Sequence, residues 1–267
     1  MKRTGKIMLS VLIIIFLLSL FAPYLVKYDP EKIDLESLKE PPSLKHPLGT
    51  DNKGRDILAR ILSGGRISLS IAIASAFLSV SAGLVIGLCS GYFGGRTDIM
   101  IMAFTDLVLS FPALLLAIGI SILLQPGIST VMIAISSVGW ASFARLIRGH
   151  IMTLRNMDFV EAAESIGCSH ARILFVHLMP QCIPLVIVMT GMKIGGYILT
   201  EASLSFLGLG AQPPTASWGS MINAGRAYIS SAPWMVFSPG LMIAVTALSF
   251  NMLGDTLQEK YGMKIEK

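Results

Sequence analysis

Of the ionisable residues in or beside otherwise apolar runs, Asp106, Lys193 and Glu201 are the clearest cases. A charge at the centre of a bilayer costs roughly 3 kcal/mol on insertion scales, so such groups ordinarily face a protein interior or a wet cavity. Their spacing does not build a catalytic centre. Lys193 and Glu201 lie eight residues apart, about two turns along one helix and about 80° around it, so they need not pair. No array of paired carboxylates, such as a proton pump needs, accompanies them. The serines lack a partnered histidine in any recognisable motif. The four histidines form no H-E-x-x-H pattern, and Cys89, Cys168 and Cys182 lack CxxC spacing, so neither a metal site nor a disulfide framework follows. No G-x-x-x-x-G-K-[ST] phosphate loop is present. The expectation is a chain with no catalytic residue, no metal and no cofactor of its own. Lys193 and Glu201 are candidates for a translocation path or a subunit interface, with Glu201 expected at the membrane interface and Asp106 expected to snorkel or cap.

The elements that must position these residues follow from composition. Hydrophobic residues make up 53% of the 267 positions and charged residues 14%, with 25 Gly and 15 Met. Soluble domains carry roughly 25% charged residues, so lipid is the main solvent. The net charge of +5 is spread along the chain and forms no stripe for nucleic acid. Six apolar stretches approach the roughly 20 residues needed to cross a bilayer. They run Ile7–Val26, Ile67–Leu88, Ile99–Leu124, Ile128–Arg148, Gln181–Thr200 and Met235–Gly254. An all-α polytopic membrane protein with six transmembrane helices is predicted. Lys2, Arg3 and Lys6 precede the first stretch, which has no A-x-A-like cleavage site and is expected to be retained. These cations place the N-terminus in the cytoplasm, and six spans return the C-terminus there. Lys and Arg are nearly balanced between the two sides, so orientation rests on the first flank and on the motifs described below more than on the charge count.

Two connecting segments carry information. Segment 27–66 contains Pro30, Pro41, Pro42 and Pro47, which interrupt any long helix. Thr50 or Asp51 could cap a short amphipathic helix through Ile57, Leu58, Ile61 and Leu62 that enters span two along the interface. The segment between spans four and five is polar and helix-forming. Its Glu161-Ala162-Ala163 run has high helix propensity, Gly167 interrupts it, and Ser169 is a candidate N-cap for a second helix. Ile166, Ile173, Leu174 and Leu178 fall at spacings that form an apolar seam, and Pro180 is expected to stop the second helix before span five. Two short helices bent at a glycine make a knob whose small side chains leave room for a groove on another protein.

These residues resemble a known family. E-A-A-x₃-G at 161–167, followed by H-L-M-P at 177–180, resembles the coupling loop of permeases of binding-protein-dependent ABC importers. Within it the chain is similar to the peptide/nickel branch, the DppC/OppC/NikC-like subunit. L-G-T-D-x-x-G-R-D (48–56), G-Y-F-G-G-R-x-D (91–98), D-x-x-L-S-F-P (106–112), E-A-S-L-S-F-L-G-L-G (201–210), P-x-x-x-W-G (214–219) and N-x-x-G-D (251–255) agree with that branch in order and spacing. His177 stands where the generic loop has Ile, and T-L-Q-E-K-Y-G-M-K follows Asp255 where many relatives carry R-D-x-L-D-P.

The resemblance implies a MetI-like permease domain over 67–255 with its coupling loop at 150–180. A first helix and an extracytoplasmic connector (1–66) would precede it and a cytoplasmic tail (256–267) would follow. It implies four kinds of partner: the bilayer, a homologous second permease, two ATP-binding subunits that hold ATP and Mg, and an extracytoplasmic solute-binding protein. Glu161, Ala162, Ala163, Gly167, His177 and Pro180 are then the coupling residues, and di- or oligopeptides or nickel, free or chelated, the cargo. The location implied is the cytoplasmic membrane of a bacterium or archaeon. A secondary transporter working without ATPases also fits six spans but leaves the 161–180 knob unexplained.

Overall fold

The computed structural model describes residues 3–261; expectations resting on Lys2 and on residues 262–267 of the tail lie outside them. Among the described residues every regular element is a helix. In chain order these are α1 (Arg3–Leu20), α2 (Ala22–Leu25), α3 (Ile57–Phe93), α4 (Gly95–Ser110), α5 (Ala113–Ile122), α6 (Ile128–Leu154), α7 (Asp158–Ser165), α8 (His170–Arg172), α9 (Met179–Phe206), α10 (Trp218–Gly225) and α11 (Trp234–Tyr261). A π-helical segment, Ile173–Leu178, joins α8 to α9 without a break. Among the described residues five helices are long and apolar enough to cross a membrane, or six when the pair α4–α5, bent by 90°, is counted as one span.

That bend replaces the single span expected over Ile99–Leu124. Pro112 has no N–H to give and its ring pushes the preceding residue out of the helical region. Phe111 is accordingly extended, with φ −87° and ψ 143°. The chain leaves α4 there and re-enters a helix at Ala113.

The most extensive packing in the fold joins α3 to α6. Gly83, Gly87 and Gly91 recur every fourth residue on one side of α3, and α6 lies directly on them. A Cβ at Gly87 would sit 2.7 Å from the carbonyl oxygen of Ala144, and one at Gly91 would sit 2.8 Å from Cβ of Ile151. Phe143, Ala144, Ile147 and Ile151 of α6 are wholly buried on this side. In lipid, where apolar burial alone drives little, such small-residue contacts let two backbones approach.

The start of α3 corrects a second expectation. Asp56, rather than Thr50 or Asp51, caps it, accepting the Ala59 N–H at 2.7 Å while also bonding His46 at 2.9 Å. Asp51 is occupied by Arg55, whose Nε donates to it at 2.7 Å, and the Thr50 hydroxyl donates to the Ser37 carbonyl. The stretch through Ile57 and Leu62 is not a separate interfacial helix but the first turns of the 37-residue α3. No proline follows Asp56 to break it.

Pro180 does not stop the second knob helix either; it lies in the first turn of α9. The wider π turn, in which the Met179 N–H bonds to the Leu174 carbonyl five residues back, accommodates the proline ring. The helix therefore runs unbroken over His170–Phe206.

Replacing Gly87 by Ala should lower stability by about 1–3 kcal/mol through overpacking. At Gly240, where a Cβ meets nothing within 4 Å, the same change should be neutral or stabilise by up to about 1 kcal/mol. Thermal unfolding of the two variants in detergent tests this; equal melting temperatures would count against the close α3–α6 contact.

Candidate functional site

The knob is a helical hairpin built on α7 and α8. Its turn is a Schellman motif: Gly167 N–H bonds to the Glu164 carbonyl at 2.9 Å and Cys168 N–H to the Ala163 carbonyl at 3.0 Å. Gly167 has φ +80° with open space around it, so its role is conformational and not steric. Ser169 then caps α8, accepting the Arg172 N–H.

One side of the hairpin is fixed to the bundle. Val160 and Ala163 of α7, with Ile173, Leu174 and Leu178, are buried against Leu88, Tyr92, Ile147, Ile151 and Leu154. Ile166 does not join this seam as its spacing suggested. It is 80% exposed, because the chain has already reached the helix end and Ile166 is the last residue before the turn. The other side is open. Glu161 and Ala162 are exposed, Ala163 turns inward, His177 is half-buried in the π segment and Pro180 is exposed.

Tyr92, at the last turn of α3, is an anchor that the sequence reading passed over. Its hydroxyl lies 2.8 Å from His170 Nδ1 and 3.3 Å from Glu164 Oε1. With the His170 tautomer that donates from Nδ1, the phenol proton is free to go to Glu164, and one side chain bridges both arms of the hairpin. Its place in G-Y-F-G-G-R-x-D, at the end of span two, was the available clue.

The ionisable residues of the spans separate into two groups. Glu201 is wholly buried, not interfacial. Ser205 donates to its Oε1 at 2.7 Å and the hydroxyls of Ser68 and Ser217 lie near the carboxyl, while its buried Oε2 has no hydrogen-bond partner among the described residues. The loop after α9 folds back and α10 begins beside it, where Trp218 donates its indole N–H to the Ile61 carbonyl at 3.0 Å. Glu201 therefore ties α9 to α3 and α10. Asp106 neither snorkels nor caps; it pairs with Arg145 across α4 and α6. A turn or two nearer the hairpin, Arg148 donates to Asp98 at 2.7 and 2.5 Å. Lys193 donates to Ser142 at 3.2 Å and does not meet Glu201.

Residues 83–266 match the family described as the binding-protein-dependent transport system inner membrane component, and residues 2–42 match the N-terminal TM domain of oligopeptide transport permease C. The chain belongs to this permease family. The glutathione transport system permease protein GsiD of Pectobacterium atrosepticum is 40% identical over 255 residues, covering 95% of this chain and 85% of its own. The oligopeptide transport system permease protein OppC of Bacillus subtilis is 37% identical over 266 residues, covering 100% of this chain and 87% of its own. An inward-facing structure of the MetNI methionine ABC transporter superposes with a TM-score of 0.60 at 13% identity, over 76% of this chain and 96% of that one. A structure of an amino acid ABC transporter gives 0.53 at 20% identity, over 75% and 93%. The chain thus has the MetI-like fold and is a multi-pass permease of an ABC importer, and the secondary-transporter alternative falls.

Tyr92→Phe removes the hydroxyl that holds both arms and should weaken hairpin closure by about 1 kcal/mol. Amide hydrogen exchange over 158–172 should then quicken about fivefold, while exchange in α6 stays unchanged.

Proposed function

We propose that the hairpin at 158–178 is the surface on which an ATP-hydrolysing subunit docks, and that the chain carries peptide cargo. The observation that carries this reading is the two-sidedness of the hairpin. Its inner half is packed on α3 and α6, while Glu161, Ala162 and the protruding Ile166 face outward around a tight glycine turn. A partner groove can close over small side chains, and a push there is delivered to the bundle through buried contacts, not lost in a loose loop.

In this reading two ATP-binding subunits hold ATP and Mg, a homologous permease completes the path, and a solute-binding protein delivers cargo from outside. Both termini lie on the hairpin's side of the membrane, the cytoplasm. The first helix and connector occupy 1–66, the permease core 67–255 and the tail 256–267. His177 and Pro180, in the π segment and the turn after it, form the joint through which hairpin movement enters α9. The relatives are named as glutathione and oligopeptide permeases, which favours peptides of that size over nickel.

Gly167→Leu places a branched side chain at φ +80°, straining the turn by about 1–2 kcal/mol, roughly tenfold in the population of the docked shape. In proteoliposomes holding the whole transporter, uptake of a tripeptide should fall by about that factor while the ATPase subunits still hydrolyse ATP. Gly167→Asn, which tolerates this backbone region, should stay near wild type. Wild-type uptake by the Leu variant would sink the docking role.

A further inference from the structure

Three helices bring four polar side chains to the middle of the bundle. Lys193 stands about 20 Å from either end of α9, and Asp106 about 16 Å from the start of α4. On α6, Ser142 and Arg145 are one turn apart, so their side chains leave adjoining faces of that helix. Lys193 donates to Ser142, and Arg145 to Asp106. The glycines of α3 cover the other side of α6, against Phe143, Ala144, Ile147 and Ile151. The four polar residues therefore line the cleft between α4 and α9, on the side of α6 away from α3.

Exposure decides what this cleft can face. Arg145 and Asp106 have 53% and 63% of their side chains open, although both lie deep in membrane-spanning helices. A lipid-facing ion pair at that depth is strongly disfavoured, so the face lies against a water-filled path or against the second permease. Charge decides what it can hold. Two cations and one anion leave a net positive charge, and the Lys193 ammonium bonds only a neutral hydroxyl.

We propose that Asp106, Ser142, Arg145 and Lys193 form a carboxylate station in the translocation path, at which Asp106 occupies Arg145 until the free carboxylate of a passing peptide takes its place. Lys193 and Ser142 receive the same carboxylate from the α9 side. The released Asp106 then faces the ammonium end of the zwitterion, so Asp106 and Arg145 both stay paired, and Lys193, which bonds only Ser142 in the empty site, gains an anionic partner. This rests on the peptide-permease reading above.

Two measurements on the assembled transporter test it. The first does not depend on cargo. With Cys89, Cys168 and Cys182 replaced by Ser, Ser142→Cys is exposed to an anionic and to a cationic methanethiosulfonate reagent. The positive cleft should make the anionic reagent react about tenfold faster, and Lys193→Met should erase the preference. Gly149→Cys, seven residues along the same helix in open space, serves as a second reporter should the first variant fail to assemble. No reaction at either position, or equal rates for the two reagents, overturns the station.

The second measurement is import of trialanine presented by the binding protein. Lys193→Met should lower it about tenfold with the ATPase subunits still bound. The charge swap Asp106→Arg with Arg145→Asp re-forms a pair but moves the cation away from Ser142, and should not restore import. Wild-type import by the swapped variant marks the pair as structural and overturns the proposal. A wild-type complex that imports no peptide at all refutes the cargo reading instead, and the labelling ratio still decides the charge of the cleft.

Discussion

The contact on which the rest of this structure depends is the approach of α6 to the glycine stripe of α3. Inside lipid an exposed apolar side chain gains little by finding another, so two helices stay together where their surfaces fit closely. Gly83, Gly87 and Gly91 give α6 a flat track, and the side chains that fill it are fully buried. Everything functional is then placed relative to this pair. The end of α3 offers Tyr92 to the hairpin, and the end of α6 leads the chain into it. The side of α6 that the glycines leave uncovered carries Ser142 and Arg145. A shift of one helical turn between α3 and α6 would move the hairpin and the mid-bundle charges at the same time.

Local chemistry was legible in the sequence, and tertiary chemistry was not. The turn at Gly167 and the cap at Ser169 could be read because a left-handed residue and an N-cap are decided by two or three neighbours. The all-helical membrane fold followed from apolar run length, and the ordered motifs pointed to the permease family that the relatives then established. Pro112 and Pro180 show the limit. Both break hydrogen bonding in the same way, yet one bends its span by 90° and the other is absorbed in a continuous helix. The difference lies in the π turn before Pro180, which no single-residue propensity encodes. Asp106 and Glu201 were recognised as unusual, but the partner of Asp106 is 39 residues away, and beside Ser205 on its own helix Glu201 meets Ser68 of α3 and Ser217 at the cap of α10.

Glu201 and the Asp106–Arg145 pair also show two ways a membrane bundle handles charge. Glu201 is withdrawn completely, bonded by Ser205 with Ser68 and Ser217 beside it, a compact knot that fixes where the loop after α9 returns. Asp106 and Arg145 neutralise one another in an open cleft, where the pairing can be undone without unfolding anything. The first arrangement gives rigidity, the second gives exchangeability, and they occupy different levels of one bundle.

The unbroken helix from His170 to Phe206 has a mechanical consequence. Its 37 residues span about 55 Å at 1.5 Å per residue, held at one end by the hairpin seam and near the other by Glu201 against α3 and the start of α10. Lys193 lies about 35 Å from its hairpin end. The π turn lies at the hairpin end of this helix, where a slip in hydrogen-bond register would change how the hairpin is joined to it. A loop in its place would absorb the motion. The continuous helix instead links the hairpin surface to the levels of Lys193 and Glu201.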